Sequence, residues 1–220
     1  KAYWEDGAQI IAPHDVNIID HVNRIKGVEA IRFNGDKSKI QIIGEEIDRQ
    51  FLDAIKGLSL SPDAIERHKD LKIVYTPIHG TGVKLIPESL RNYGFTNIIH
   101  VPEQDIPSGD FPTVVSPNPE VPSAMAMAIA KAKETNADLV MASDPDADRV
   151  GIACKDDKGE WVLINGNQTC MMYLYYIITQ YTKLGKMTGN EFVVKTIVTT
   201  EVIKEIAEKT GVSINTSLGR

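Results

Sequence analysis

Three short apolar runs, Leu71-Lys72-Ile73-Val74-Tyr75, Asn97 to Val101 and Leu139-Val140-Met141-Ala142, alternate with segments of helical character. This alternation restricts the fold more than any other feature of the chain. Between the first two runs, Val83, Ile86 and Leu90 fall on one helical face and Gly94 supplies a stop. Between the second and third, a Pro-rich connection from Pro102 to Pro122 leads into an Ala/Met-rich helix, predicted to be capped by Ser123 and to run to about Thr135. Strand, helix, strand in succession means parallel strands joined by crossovers. The expectation is an α/β fold: a mixed, mostly parallel sheet with helices on both faces. Such sheets place their ligand loops at the carboxyl ends of the strands.

The flanking segments extend the pattern. Ile47, Phe51, Leu52 and Ile55 predict a helix over 43–55 that ends at Gly57. Val150 to Cys154 and Glu160 to Leu163 predict a hairpin around Asp156-Asp157-Lys158-Gly159. Asn165-Gly166-Asn167 breaks the pattern before an apolar helix from Gln168 to Tyr181. Phe192 to Val198 then reads as a strand, and a helix capped by Thr200 reads to Gly211, the start of a second similar α/β domain with its boundary near Gly166. Before all this, Gly7 to Ile11 alternates briefly, and the polar stretch to Lys39 carries no assignable element.

Charge excludes some functions. Twenty-four Lys+Arg against 30 Asp+Glu give −6 and a pI near 5.4 with no block of like charge, so neither nucleic acid nor an anionic membrane surface is an expected partner. No apolar run reaches the roughly 20 residues of a membrane span. Cys154 and Cys170 are too far apart for a Cys-x-x-Cys pair and read as reduced, which suits the cytoplasm. The chain opens on Lys1 without Met and stops at Arg220 just after an expected strand. It therefore reads as an internal part of a longer protein.

The chemistry concentrates in Asp144-Pro145-Asp146-Ala147-Asp148-Arg149, directly after the third run. In an extended loop alternate side chains point the same way, so Asp144, Asp146 and Asp148 can converge on one cation. Hard oxygen donors on a short loop suit Mg²⁺, and three carboxylates packed without a cation would raise one another's pKa values. The calcium loop of EF-hands is excluded, because Arg149 and Lys155 stand where it wants Gly and Glu. Arg149 beside the carboxylates makes better sense next to a bound phosphate. The bland counterpart is a solvated acidic turn.

Two further loops are less specific. Thr76 to Gly82 has two glycines before a helix start, which favours close approach to an anion, with His79 able to contact a phosphate or a sugar hydroxyl. It lacks the Gly-Lys-Ser/Thr of a nucleotide loop and reads equally as a tight turn with a solvated histidine. Ser116-Pro117-Asn118-Pro119-Glu120 reads first as a rigid connector. Met125, Met127, Met171, Met172, Tyr173, Tyr175 and Tyr176 read as helix packing, and His14, His21, His68 and His100 as surface residues.

Taken in order, Lys1-Ala2-Tyr3-Trp4, Asp6 to Ile11, Thr76-Pro77-Ile78-His79-Gly80, Pro117-Asn118-Pro119-Glu120, Asp144 to Arg149, Asn165-Gly166-Asn167-Gln168 and Lys195 to Thr200 resemble the α-D-phosphohexomutases. The nearest group is the phosphoglucomutases and phosphomannomutases, with their phosphopentomutase-like members. The resemblance implies a four-domain enzyme. A phosphoserine exchanges phosphoryl groups with a 1- or 6-phosphosugar through a sugar bisphosphate. It implies that Asp144, Asp146 and Asp148 hold Mg²⁺, that Arg149 lies beside the phosphate, and that His79 and Lys1 lie near the reacting groups. Residues 1–40 would be the tail of domain 1 and a linker, 41–164 domain 2, and 165–220 the first part of domain 3. The family's Ser-His-Asn-Pro and Gly-Glu-x-Ser-Gly loops do not occur here, so this stretch alone is expected to be inactive.

Two rival readings remain. A strand running into Asp-x-Asp also begins the haloacid-dehalogenase phosphatases, with Asp144 as nucleophile and Asp146 as acid/base, although the third Asp beside Arg149 favours a metal cradle. The other is a non-catalytic module that binds a metal or a sugar phosphate.

Overall fold

The computed structural model describes residues 2–217. The chain separates into two compact units, one ending at Gly44 and one starting at Glu45. In the first, a tight turn closes with Trp4 N–H donating to the Ala8 carbonyl at 2.8 Å, and Tyr3 bridges Gln9. Helix α1 (His14–Asn23) follows, where sequence reading assigned no element. Its start lacks a side-chain cap, and Val16, Ile18, Ile19 and Val22 are all exposed, so neither end signal nor buried stripe marks it.

The second unit opens with α2 (Glu45–Lys56) and a short α3 (Pro62–Arg67). Then come β1 (Lys72–Thr76), α4 (Leu85–Tyr93), β2 (Asn97–His100), α5 (Pro122–Thr135), β3 (Leu139–Ser143), β4 (Val150–Lys155) and β5 (Trp161–Ile164). The strands form one sheet in the order β2-β1-β3-β4-β5. β1 is parallel to both β2 and β3, whereas β4 runs antiparallel to β3 and β5. The β4–β5 hairpin turns at Asp156, whose carboxylate accepts the N–H groups of Lys158 and Glu160.

The strand order dictates where the helices lie. The chain steps from β1 outward to β2, then back over β1 to β3, and two right-handed crossovers in opposite directions put their helices on opposite faces. The α5 helix accordingly buries Ala124, Met125, Ala128 and Ala132 against Val74, Val140, Ala142 and Ala153. Its small residues let helix and sheet approach closely. On the other face Ile73 and Tyr75 are buried, and Ile86 of α4 lines the same cavity as Tyr75. Pro122 stands at the first turn of α5 and no side chain caps it, so Ser123 is inside the helix rather than its cap.

Next, α6 (Gly166–Lys183) starts from a reciprocal cap: Asn165 accepts from Gln168 N–H at 3.0 Å, and Gln168 returns a bond to Asn165 N–H at 2.9 Å. It is followed by β6 (Phe192–Thr196), α7 (Val202–Lys209) and β7 (Ser213–Ser217), with β6 and β7 parallel. A small core of Ile178, Ala207 and Val212, backed by Leu174, Val193 and Ile206, holds this part together. The expected packing role of Met125 and Met127 is met in the main core. Met172, Tyr173, Tyr175 and Tyr176 instead lie on an exposed face of α6. The α7 start has Glu201, not Thr200, at its cap position, and Thr200 instead accepts the Val202 N–H at 3.3 Å.

Candidate metal centre

The direction of chain travel reverses between β1 and β3, and such sheets place their sites in the loops that leave the carboxyl ends of the strands there. Here those loops are Pro77–Gly82 and Asp144–Arg149. Asp144 is the first residue past β3 and is 1% exposed, while Asp146 and Asp148 are exposed. One carboxylate oxygen from each lies within 4.8 Å of the others. Two oxygens on a single Mg²⁺ at its usual bond length sit about 2.9–4.2 Å apart, so the triad is close to a cation's dimensions without rearrangement of the backbone. Ala147 at φ 58° makes the turn that brings Asp148 back.

Arg149 closes this loop at its base. Its N–H donates to Asp144 Oδ1 at 2.9 Å and its Nε to Asp144 Oδ2 at 2.7 Å, with Asp148 Oδ1 3.9 Å away. Burial by itself would push the Asp144 carboxyl up. The two hydrogen bonds and the charge of Arg149 outweigh that and hold it below the usual aspartate range.

The Pro77–Gly82 loop approaches the acidic loop from behind. Thr81 donates to the Pro145 carbonyl through both N–H and Oγ1, at 2.9 and 3.1 Å. A side chain at Gly80 would place its Cβ 2.4 Å from Pro145 Cα. The close approach that the glycines permit is therefore to the acidic loop itself. Ile78 and His79 both take left-handed backbone angles, φ 47° and 62°, and Ile78 is fully buried. For a β-branched residue this conformation costs on the order of 1–3 kcal/mol and persists only where the surroundings over-determine it.

His79 is 3% exposed. Its Nδ1 lies 2.8 Å from the Ile106 carbonyl and its Nε2 2.8 Å from Thr113 Oγ1. The solvated histidine of the bland reading is not found. Beneath it Gln104, fully buried, bonds Thr76 Oγ1 at 2.8 Å and Thr113 Oγ1 at 3.0 Å. Tyr75 and Ser143 share a hydroxyl bond of 2.8 Å below the two loops, and burial pushes the phenol up to about 12. Sequence reading passed over Gln104, Tyr75 and Ser143, because buried polar residues in a loop or on a strand face have no periodic signature.

The Pro117-Asn118-Pro119-Glu120 loop is a tight connector, with Asn118 Oδ1 accepting the Glu120 N–H at 3.0 Å. Pro119 presses on β4, so a Cβ at Gly151 would meet the Pro119 carbonyl oxygen at 2.5 Å. Lys1 lies outside the described residues. His14, His21 and His68 are exposed as expected, whereas His100 is half buried and pairs with Asp105 at 2.9 Å. At the end of β6, the Lys195 ammonium is buried among Thr196 O, Thr199 O and Glu201 Oε1, at 3.4, 3.0 and 2.7 Å.

Fold and site together define an α/β protein that presents a carboxylate triad at the switch point of its sheet. Residues 49–159, half of the chain, match the family model of the phosphoglucomutase/phosphomannomutase α/β/α domain II, and the chain belongs to that family. It is 31% identical over 209 residues to a phosphomannomutase of Mycoplasmoides pirum, covering 95% of this chain and 37% of the relative. It is 29% identical over 221 residues to the phosphopentomutase of Homo sapiens, covering 96% and 36%. Among solved structures, Aspergillus fumigatus N-acetylphosphoglucosamine mutase in complex with GlcNAc-6P and magnesium shares the fold. Its TM-score is 0.52 at 15% identity, over 80% of this chain and 36% of that one. The chain thus spans a little over a third of the length of the relatives it matches.

Proposed function

We propose that the chain carries the cation-binding part of an enzyme that interconverts sugar 1- and 6-phosphates, or pentose 1- and 5-phosphates, through a phosphoserine and a sugar bisphosphate. The observation that supports this most directly is the convergence of Asp144, Asp146 and Asp148 at the switch point of a sheet of this family. On this reading the three carboxylates hold Mg²⁺, in line with the magnesium found with the Aspergillus relative. Bound there, the cation would neutralise phosphoryl oxygens, the main requirement in phosphoryl transfer.

The protein's own groups do the rest. Arg149 is 54% exposed and spends only Nε on Asp144, so the other face of its guanidinium is available to a phosphate. Asp144, buried and held on both oxygens, has the setting of a ligand rather than of an attacking nucleophile, which favours the mutase over an aspartyl phosphatase. Lys1 is assigned beside the reacting groups on the family resemblance alone. Residues 1–40, 41–164 and 165–220 are assigned as the tail of domain 1, domain 2 and the start of domain 3. The substrates are a phosphosugar and its bisphosphate, and the free Cys154 and Cys170 suit a cytoplasmic setting.

The test is turnover by the full-length protein with glucose, mannose and ribose 1-phosphates, each primed with a sugar bisphosphate. Activity with one of them, lost on chelation and lowered about 10²–10³-fold by Asp146→Asn or Asp148→Asn, is expected. Turnover indifferent to chelation, or a phosphoaspartate at Asp144 detected by mass spectrometry, would overturn the reading.

A further inference from the structure

The bonds around Gln104 can be followed proton by proton. The Ile106 carbonyl only accepts, so the His79 Nδ1 it faces must carry hydrogen. In the neutral ring His79 Nε2 is then a lone pair and needs a donor, and Thr113 Oγ1, 2.8 Å away, is the group facing it. Thr113 can give its hydrogen to His79 only if it receives one elsewhere instead of donating, and Gln104 Nε2 donates to it at 3.0 Å. That orientation turns Gln104 Oε1 toward Thr76, whose hydroxyl donates at 2.8 Å while accepting the Ile78 N–H at 3.1 Å. The reversed amide would take the Thr113 hydrogen for itself and leave His79 Nε2 bare. Each of these bonds then has one donor and one acceptor, and all run in one direction.

The same residues are tied through the backbone. His79 N–H donates to the Gln104 carbonyl at 2.9 Å, and Ser108 N–H to the His79 carbonyl at 3.1 Å. The left-handed pair Ile78-His79 is thus held from both sides, and the next residues, Gly80 and Thr81, are those that press on Pro145. We propose that Gln104 is a positioning residue of the cation site: its amide sets His79 as the neutral Nδ1–H form and so seats the turn that braces the acidic loop. His79 then acts through the loop it holds, without touching substrate. The inference rests on the cation-binding reading of Asp144, Asp146 and Asp148.

Two measurements on the full-length protein test it. In ¹⁵N spectra of histidine-labelled protein, assigned with a His79→Gln control, His79 is expected as the Nδ1–H tautomer. In Gln104→Glu the carboxylate accepts the Thr113 hydrogen instead, so His79 Nε2 is expected to acquire a proton and the spectrum to move to the doubly protonated form. Mn²⁺ affinity, read by water-proton relaxation, is expected to fall about tenfold in Gln104→Glu and in the apolar Gln104→Met, the usual size of an outer-shell effect. A wild-type His79 protonated on Nε2 would overturn the proposal. So would variants that lose thermal stability but keep both the wild-type tautomer and the wild-type Mn²⁺ affinity. If the cation reading itself fails, wild type binds no Mn²⁺ while the tautomer measurement still reads out, so the two failures are told apart.

Discussion

Two strand ends in this chain bury one charged group each, with opposite signs. At the end of β3, Asp144 is 1% exposed and its partner Arg149 54%; at the end of β6, Lys195 is 1% exposed and its partner Glu201 73%. The ammonium has three hydrogens and faces three oxygens, so that site is complete. The carboxylate is also bonded on both oxygens, but Asp146 and Asp148 bring two more carboxylates within a few ångströms of it. A buried ion therefore does not by itself mark a site. What marks one is the gathering of further groups of the same sign round the buried ion.

The largest expected effect that sharpens this contrast comes from the brace behind the acidic loop. Gly80→Ala sets a Cβ against Pro145 backbone, which has no flexible end to yield. A loss of about 3 kcal/mol in denaturant unfolding is expected, together with loss of Mn²⁺ binding. Unaltered Mn²⁺ binding would separate the two loops.

Next come the partners of the buried ions. Arg149→Ala and Glu201→Ala each leave a buried charge short of its counter-ion, and both should lower the unfolding midpoint. Only the Arg149→Ala deficit should be recovered by millimolar Mg²⁺, because only there can a cation replace what was lost. Equal recovery in both, or in neither, breaks the comparison.

A smaller change is Tyr75→Phe, which strips Ser143 of its buried partner and should cost about 1 kcal/mol. The same variant should remove, from a spectrophotometric titration, the tyrosine that ionises near pH 12.

The smallest effect belongs to the region before β6. Glu191 accepts the Thr188 N–H and hydroxyl and the Gly189 N–H, and these bonds bring its carboxyl down to about 2 from 4.5. A carboxyl lowered by folding adds stability above its unfolded pKa and loses it as pH falls through the folded value. The stability difference between wild type and Glu191→Gln should therefore be constant above pH 4.5 and shrink toward pH 2. A difference that is flat through that window contradicts the assigned bonds.

The strands and the hairpin at Asp156 were legible because each rests on local chemistry, apolar runs and turn residues, whereas Asn165 was read only as a break and its reciprocal cap with Gln168 came from the structure. The three acids were legible in consecutive residues, but the extended loop expected there is a turn, with Ala147 N–H on the Asp144 carbonyl, and that turn is what brings Asp148 back. Helix α1 was not legible, because Pro13 supplies no capping oxygen and the apolar side chains of α1 are exposed in this unit. Ser123 misled because Pro122, one residue earlier, is itself a good first-turn residue. The placement of His79 depended on Gln104 and Thr113, 25 and 34 positions away in a connection whose prolines say only that it is not helical. Long-range polar pairing leaves no periodic trace.

The antiparallel sense of β4 has a kinetic consequence. Because β3 and β4 are neighbours, with Ser143 opposite Val150, the acidic loop is merely the connection of a hairpin and closes over six residues. Forming a hairpin takes on the order of microseconds, whereas the brace at Gly80 waits for β1 to pair with β3 across more than sixty intervening residues. The three carboxylates should therefore gather before the loop that steadies them is in place. Mn²⁺ supplied at the start of refolding should bind weakly at first and tighten in a later phase. A single phase of full affinity would mean that hairpin and brace form together.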